Sequence, residues 1–336
     1  MNTNSVARVL ACFVCALFLF SGSAVAYDEK APMVLKCGID NPPGDMKAVM
    51  IKRLGDLVEQ GTKGRIKFQY FFGGSLIAKP QFVDAVSKGI ADISLGPGGF
   101  VSGKIPAMSI FEIYGAINFD KFLEIQKAIE PTMIKVFEPK DVRPIMVLYN
   151  PDTVLAHRTK FLKAPDDWKG QKMRVSGRFQ STLAAKWGAS PVFMPPGELF
   201  LALQRGTIDG HQLIVDIING LKLYEVTPYL TMPNFSNNIE FVTMNLKKWN
   251  AMTEADRAVF QRALDEIKVR MVQDFKKDLE ALKTTMASKG AKIYYTTREE
   301  DRAYLKDAVA LWPEVRKASG PLGNEFCDIL EKFRQK

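Results

Sequence analysis

Phe82-Val83-Asp84-Ala85-Val86-Ser87-Lys88-Gly89-Ile90-Ala91-Asp92 returns in the second half of the chain as Leu199-Phe200-Leu201-Ala202-Leu203-Gln204-Arg205-Gly206-Thr207-Ile208-Asp209. Both copies share an apolar helix end, a basic residue, Gly, two residues and then Asp. This is the pattern of a helix closed by a C′ glycine, with a cation in its last turn to suit the negative helix end. A strand is expected to follow. The same junction occurs in many α/β proteins, but two copies in one chain point to two lobes of similar design enclosing something between them.

Working outward, the N-terminal side of the first copy reads as a β-α-β-α-β unit. Met33 to Ile39 is a buried strand broken by Asp40-Asn41-Pro42-Pro43-Gly44, and Asp45 caps a helix running to about Gln60. Arg65 to Tyr70 is the second strand, Phe82 to Lys88 a helix and Ile90 to Leu95 the third strand. That order predicts a parallel sheet with right-handed crossovers. Ligands sit beyond the carboxyl ends of such strands, here Asp40 to Gly44, Phe71 to Ser75 and Gly96 to Gly99. A further strand is expected near Arg143 to Asn150. A second α/β region follows, with strands at Lys172 to Val175 and Thr207 to Gln212 and helices at Phe179 to Trp187 and Glu198 to Gln204. Glu240 to Asn245 reads as a strand returning to the first lobe. Thr253 caps a long helix from Glu254 to about Ser288, with Gly290 beyond its end. Phe260, Leu264, Ile267, Met271, Phe275, Leu279, Leu282 and Met286 give it one continuous apolar stripe. Its length of about 52 Å exceeds the need of a single lobe. A coiled coil is an alternative, but one helix lying across two lobes explains the stripe without a partner.

The first 26 residues read as a secretory signal. Arg8 supplies the positive charge, Val9 to Phe20 is almost wholly apolar and Ala24-Val25-Ala26 fits the cleavage site. The apolar run is too short for a membrane-spanning helix, which takes about 20 residues. The chain has 336 residues and a formal charge of +9, with Lys and Arg spread along it. Export and this dispersion argue against nucleic acid and for an anionic ligand. Beyond the signal only Cys37 and Cys327 remain, too few for a disulfide framework. Cys37 lies in an apolar strand and reads as an inert buried thiol.

Catalytic signatures are scarce. His157 and His211 are the only histidines and neither has zinc-ligand spacing. Gly98-Gly99-Phe100-Val101-Ser102-Gly103-Lys104-Ile105 nearly matches a phosphate loop, but Ile105 replaces the magnesium-binding hydroxyl and Pro106 is poor for the helix that should follow. No metal or cofactor is expected. A secreted hydrolase or lyase stays open, because paired carboxylates need not be close in sequence. Arg174 stands out in Lys172-Met173-Arg174-Val175. It is either paired to a structural acid or its planar fork binds a ligand carboxylate with two parallel hydrogen bonds.

The chain closely resembles the solute receptors of tripartite ATP-independent periplasmic (TRAP) transporters, from about Met33 to the C-terminus. Gly73-Gly74-Ser75-Leu76, Lys88-Gly89-Ile90-Ala91-Asp92, Trp168 to Val175, Ala202 to Gly210, Leu223-Tyr224-Glu225-Val226 and the long helix carry the resemblance. It implies an α/β, two-lobed periplasmic binding protein (type II-like), with a long helix spanning both lobes. It also implies a carboxylate-binding arginine at Arg174, small and large membrane subunits as partners, and a receptor without enzymatic activity. The expected division is signal 1–26, lobe I 27–150 and 239–278, and lobe II 151–238 and 279–336. Two departures remove polar recognition: Leu213 stands where many relatives carry a ligand-contacting Asn, and Val154 stands near the place of a second arginine. A monocarboxylate with an apolar or aromatic body is therefore expected. Candidate ligand contacts are Arg174, Leu213, Gln212, Asn237, Phe235, Tyr149, Phe72, Phe100 and Asp40, with Asn234 and Asn238 as further donors. A receptor of an ATP-driven importer is the neighbouring alternative.

Overall fold

The computed structural model describes residues 27–149, 153–235 and 239–334, so the expected signal segment lies outside the described residues. In chain order the strands are β1 (Met33–Gly38), β2 (Ile66–Phe71), β3 (Ile93–Pro97), β4 (Val142–Leu148), β5 (Thr153–His157), β6 (Lys172–Val175), β7 (Ser190–Phe193), β8 (Gly210–Ile214), β9 (Tyr229–Met232), β10 (Glu240–Asn245) and β11 (Lys292–Tyr295). The helices are α1 (Met46–Gly61), α2 (Phe82–Ser87), α3 (Phe122–Phe137), α4 (Arg178–Lys186), α5 (Leu199–Gln204), α6 (Val215–Gly220), α7 (Leu246–Ala251), α8 (Glu254–Ser288), α9 (Arg298–Ala310) and α10 (Trp312–Phe333).

Two sheets form, ordered β2-β1-β3-β10-β4 and β7-β6-β8-β5-β9-β11. Set side by side, the orders superpose strand for strand, with β11 as an added edge. In each sheet the one antiparallel strand, β10 or β5, is the one that arrives from the other lobe. All of β10 and β5 is buried, as expected of strands covered on both faces.

The repeated junction does the same work twice. Gly89 and Gly206 take φ of +70° and +71°, the left-handed conformation that glycine adopts without a Cβ penalty. The amides of Ile90 and Thr207 then close back on Ala85 and Ala202, each at 2.9 Å, as in a Schellman ending. Asp92 and Asp209 each fix the neighbouring parallel strand, accepting from Lys36 N within β1 and from Lys172 N at the start of β6, both at 2.8 Å. Their own amides donate to Lys36 O and Lys172 O at 2.7 and 2.8 Å. The strands start at Ile93 and Gly210, later than expected in both copies, because the residues from the glycine through the Asp remain in the turn.

Helix α8 spans the bounds expected for it, and Thr253 caps it by accepting from Asp256 N at 3.1 Å. Near its start it packs on α1, and Phe260 stacks with Phe68 of β2. Further along it packs on α6 and β11 of the second lobe, so one apolar stripe serves both lobes. The C-terminal segment departs from the expected division. Helix α9 stays with the second lobe, where Tyr304 accepts from Trp168 Nε1 at 3.0 Å. Helix α10 returns to the first: Phe326 meets Phe111 edge-on with centroids 5.1 Å apart, and Glu325 accepts from Thr132 at 3.1 Å and Lys135 at 2.8 Å. Assigning 279–336 wholly to lobe II fails for 312–333, because the apolar face of α10 completes the first-lobe core. Cys37 and Cys327 are both free and buried.

Candidate functional site

The segments that follow the carboxyl ends of β1 and β8 meet where the lobes face each other, Lys47 with Asp216. Arg174 lies in β6 and is 2 % exposed. Its Nε donates to Met194 O at 2.9 Å, just past β7, and its Nη1 to Gln212 O at 3.0 Å in β8. Burial pushes its guanidinium down to about 10, and only the Tyr114 hydroxyl works against that. Among the described residues no carboxylate pairs with it. A desolvated cation held by neutral carbonyls is costly unless an anion joins it. The alternative of a structural acid partner is therefore not realised among the described residues.

Tyr114, which follows the 3-10 segment Pro106–Glu112 of the first lobe, covers this end of the cleft. It is buried, and its hydroxyl donates to Gln212 Oε1 at 2.8 Å. Its ring stacks on Trp187 (centroids 6.1 Å) and meets Phe235 edge-on at 5.3 Å. Beyond Tyr114 a cavity of about 320 Å³ is lined by Tyr114, Tyr149, Asn234 and Phe235 among others. Leu213 is buried, and across the β5–β8 ladder its register partner is Val154. The two apolar departures are thus one patch, since directly opposed residues share a face of the sheet.

Two further polar contacts join the lobes beside this wall. Glu112 of the first lobe accepts from Phe179 N at 3.0 Å, at the start of α4. The N-cap of α4 is Gly177, which has no side chain to cap with, and a Cβ there would collide with Glu112 Oε2. Burial raises the Glu112 carboxyl above its ordinary value. The second contact is ionic. Lys47, in the first turn of α1, is fully buried and donates to Asp216 at the start of α6, with Asp45 3.5 Å away. Burial opposes the Lys47 ammonium, yet Asp216, Asp45 and Glu240 hold it well above its ordinary value. Burial pushes Asp216 up to about 6. Asp45 is also buried, but Lys47 and Lys79 keep it below its ordinary value. Lys79 pairs with Glu240 at 3.1 Å.

The structure does not gather the remaining described candidates around Arg174. Asp40 is half-buried at the end of β1, leaving no room for a Cβ on Gly74. Phe72 is partly buried and belongs to the β2 edge, where Tyr70 stacks on it at 5.8 Å. Phe100 is half-buried in the turn after β3. Tyr149 is buried against Phe119 and Phe122. Asn234 is tied to Asp301 and Thr296 O of the second lobe. Asn237 and Asn238 lie outside the described residues. Sequence reasoning missed Tyr114, Glu112, Lys47 and Asp216. The first two sit in a non-periodic stretch, and Lys47 reads as an ordinary polar helix residue until the second lobe covers it.

His211 is fully buried beside Arg174 and stays neutral, its pKa pushed to about 3 by burial and then by Arg174. Among the described residues no group of acids, histidines and cysteines is placed to hold a metal, and no helix is long and apolar enough to cross a membrane.

Residues 38–318 match the family model of the bacterial extracellular solute-binding proteins, family 7 (DctP). The sialic acid-binding periplasmic protein SiaP of Vibrio cholerae is 26% identical over 290 residues, covering 84% of this chain and 89% of that protein. Two solved structures share the fold. The TRAP periplasmic solute binding protein of Desulfovibrio salexigens with bound orotic acid has a TM-score of 0.82, 21% identity and coverage of 89% and 97%. The ectoine-binding protein of the TeaABC TRAP transporter of Halomonas elongata has a TM-score of 0.81, 22% identity and coverage of 89% and 98%. Members of this family are receptors, not enzymes, and the chain belongs to it: it is a two-lobed solute-binding protein of the TRAP type.

Proposed function

We propose that this receptor captures an organic monocarboxylate with an apolar or aromatic body and delivers it to small and large TRAP membrane subunits. The observation that carries the reading is Arg174, a buried cation at the strand ends with neutral carbonyls as its hydrogen-bond partners. A ligand carboxylate supplies the missing charge and accepts from the guanidinium fork. The Val154–Leu213 patch and the Tyr114–Phe235–Trp187 aromatic group favour an apolar or aromatic remainder over a polyhydroxylated one. Relatives named for sialic acid and orotic acid also take carboxylates. Asp40, Phe72, Phe100, Tyr149, Gln212 and Asn237 are proposed as further contacts. An N-terminal signal ending near Ala26 would export the chain to the periplasm. Lobe boundaries are proposed at 27–150, 239–278 and 312–333 for the first lobe, and 151–238 and 279–311 for the second.

Thermal-shift screening against organic acids tests the ligand class, because a ligand bound only by the folded state raises the melting temperature. Aryl acetates and aromatic 2-oxo acids are expected to raise it most. Silence from every aromatic and aliphatic monocarboxylate would refute the class. Leu213→Asn is expected to weaken binding of an apolar ligand, and because Leu213 is buried it should also cost about 1–3 kcal/mol of stability; unchanged affinity in a calorimetric titration would remove the patch from the ligand site.

A further inference from the structure

The Lys47 cluster is built from both lobes. Asp45 caps α1 and Lys47 lies in its first turn, and Lys79 and Glu240 also belong to the first lobe. Asp216 alone comes from the second lobe, at the start of α6. The side chains of Lys47, Asp45 and Asp216 are 0 %, 7 % and 5 % exposed. Two carboxylates from opposite lobes therefore come within hydrogen-bond reach of each other out of water, and one ammonium lies against both. Like charges so placed repel strongly where solvent cannot screen them. Lys79 cannot take over, since its ammonium already lies against Glu240 at 3.1 and 3.4 Å. The cluster also adjoins the carboxylate anchor in the chain: Asp216 lies four residues after Gln212, whose carbonyl accepts from Arg174.

We propose that Lys47 is the gate of cleft closure: its ammonium is the counter-charge that lets Asp45 of one lobe meet Asp216 of the other, and the lobes shut only with it in place. In the open cleft Asp216 is hydrated and Lys47 keeps Asp45. On closing, Asp216 exchanges water for Lys47, and both partners become buried. A buried pair of this kind adds little by itself, but removing one member leaves an uncompensated charge. The pair therefore acts through what its loss would cost, and closure is set by the protein's own charges before any ligand contact is counted. The gate rests on the receptor reading only in that a ligand is held by the closed state.

The test uses the full chain with a donor–acceptor dye pair on Lys88→Cys and Arg205→Cys, exposed positions at the two repeated junctions. Cys12 and Cys15 of the expected signal segment are changed to Ser, and the native Cys37 and Cys327 are buried and escape labelling. Without ligand, the parent protein is expected to populate the short interlobe distance. Lys47→Met shifts the closed-to-open ratio by about a hundredfold toward open. Adding Asp216→Asn to it removes the facing charge and restores closure to within about tenfold of the parent. A K47M distribution like that of the parent, or a double variant as open as K47M, overturns the gate. Should K47M not accumulate as folded protein, Asp216→Asn alone is expected to move the ratio by about fivefold, and an unchanged ratio overturns it equally. For any acid that raises the parent's melting temperature, K47M weakens apparent affinity by the factor by which it empties the closed state. If no acid binds the parent, the carboxylate reading fails while the distances still decide the gate.

Discussion

The two repeated junctions are alike in backbone and opposite in cargo. Asp92 fixes Lys36 and Asp209 fixes Lys172, so residue 38 of the first lobe corresponds to residue 174 of the second. The ladders agree, pairing Gly38 with Ser94 and Arg174 with His211. At Gly38 a Cβ would lie 2.9 Å from Ile77, so the first lobe fills this place with core, and Ser94 Oγ satisfies Gly38 O at 2.8 Å. At Arg174 the second lobe spends the same place on a buried cation. The helices that follow differ in the same sense. Helix α1 is capped by its own Asp45, which accepts from Lys47 N at 2.8 Å, whereas α4 starts at Gly177 and takes Glu112 from the other lobe. One framework thus carries a self-contained half and a half completed from outside, by the first lobe at α4 and, in the proposed function, by the ligand at Arg174.

The largest expected break in that comparison is at Arg174. Arg174→Lys should weaken carboxylate binding by about 2 kcal/mol or more, since a point charge cannot reproduce the fork. Near-parental affinity in a calorimetric titration would remove Arg174 as the anchor. Next come the two aspartates. Asp92→Ala and Asp209→Ala should each cost about 2 kcal/mol of stability by stranding a strand amide, read by denaturant unfolding. Equal losses sharpen the equivalence of the junctions, and a loss at only one breaks it. Gly89→Ala and Gly206→Ala should each cost about 1 kcal/mol, because both take a left-handed φ.

The smallest effect belongs to Glu112. Its folded carboxyl sits above the ordinary value because of burial. The folded state therefore holds that proton more tightly than the unfolded chain, and the ionised group costs stability at neutral pH. That cost is relieved as pH falls through the raised folded value. Glu112→Gln should accordingly melt slightly higher than the parent at pH 7, by less than about 1 kcal/mol, and the gap should close on acidification. A gap that widens in acid would reverse the sign assigned to this carboxyl.

Much of the framework was legible because it is written in local chemistry. A C′ glycine, a strand-fixing Asp, the Asp45 and Thr253 caps and the apolar stripe of α8 each act within a few residues. Arg174 was legible because a charge inside a short apolar strand is conspicuous. Glu112 and Tyr114 were not, since one ends and the other follows a 3-10 segment, Pro106–Glu112, without the 3.6-residue period that marks a helix. Helix α10 was misplaced because amphipathicity shows that a face is buried and not which lobe buries it. Lys47 carries no local sign of burial at all.

The sequence alone therefore determined the two-lobed α/β plan, the repeated junctions, the bridging helix and the arginine. Each rests on a propensity or spacing that operates along the chain. Tertiary structure alone decided that Val154 and Leu213 form one patch, that Tyr114 covers the arginine, and that Lys47 meets Asp216 across the cleft. Those contacts join residues distant in sequence, and their energies depend on how much water the closing lobes exclude, a quantity no single segment encodes.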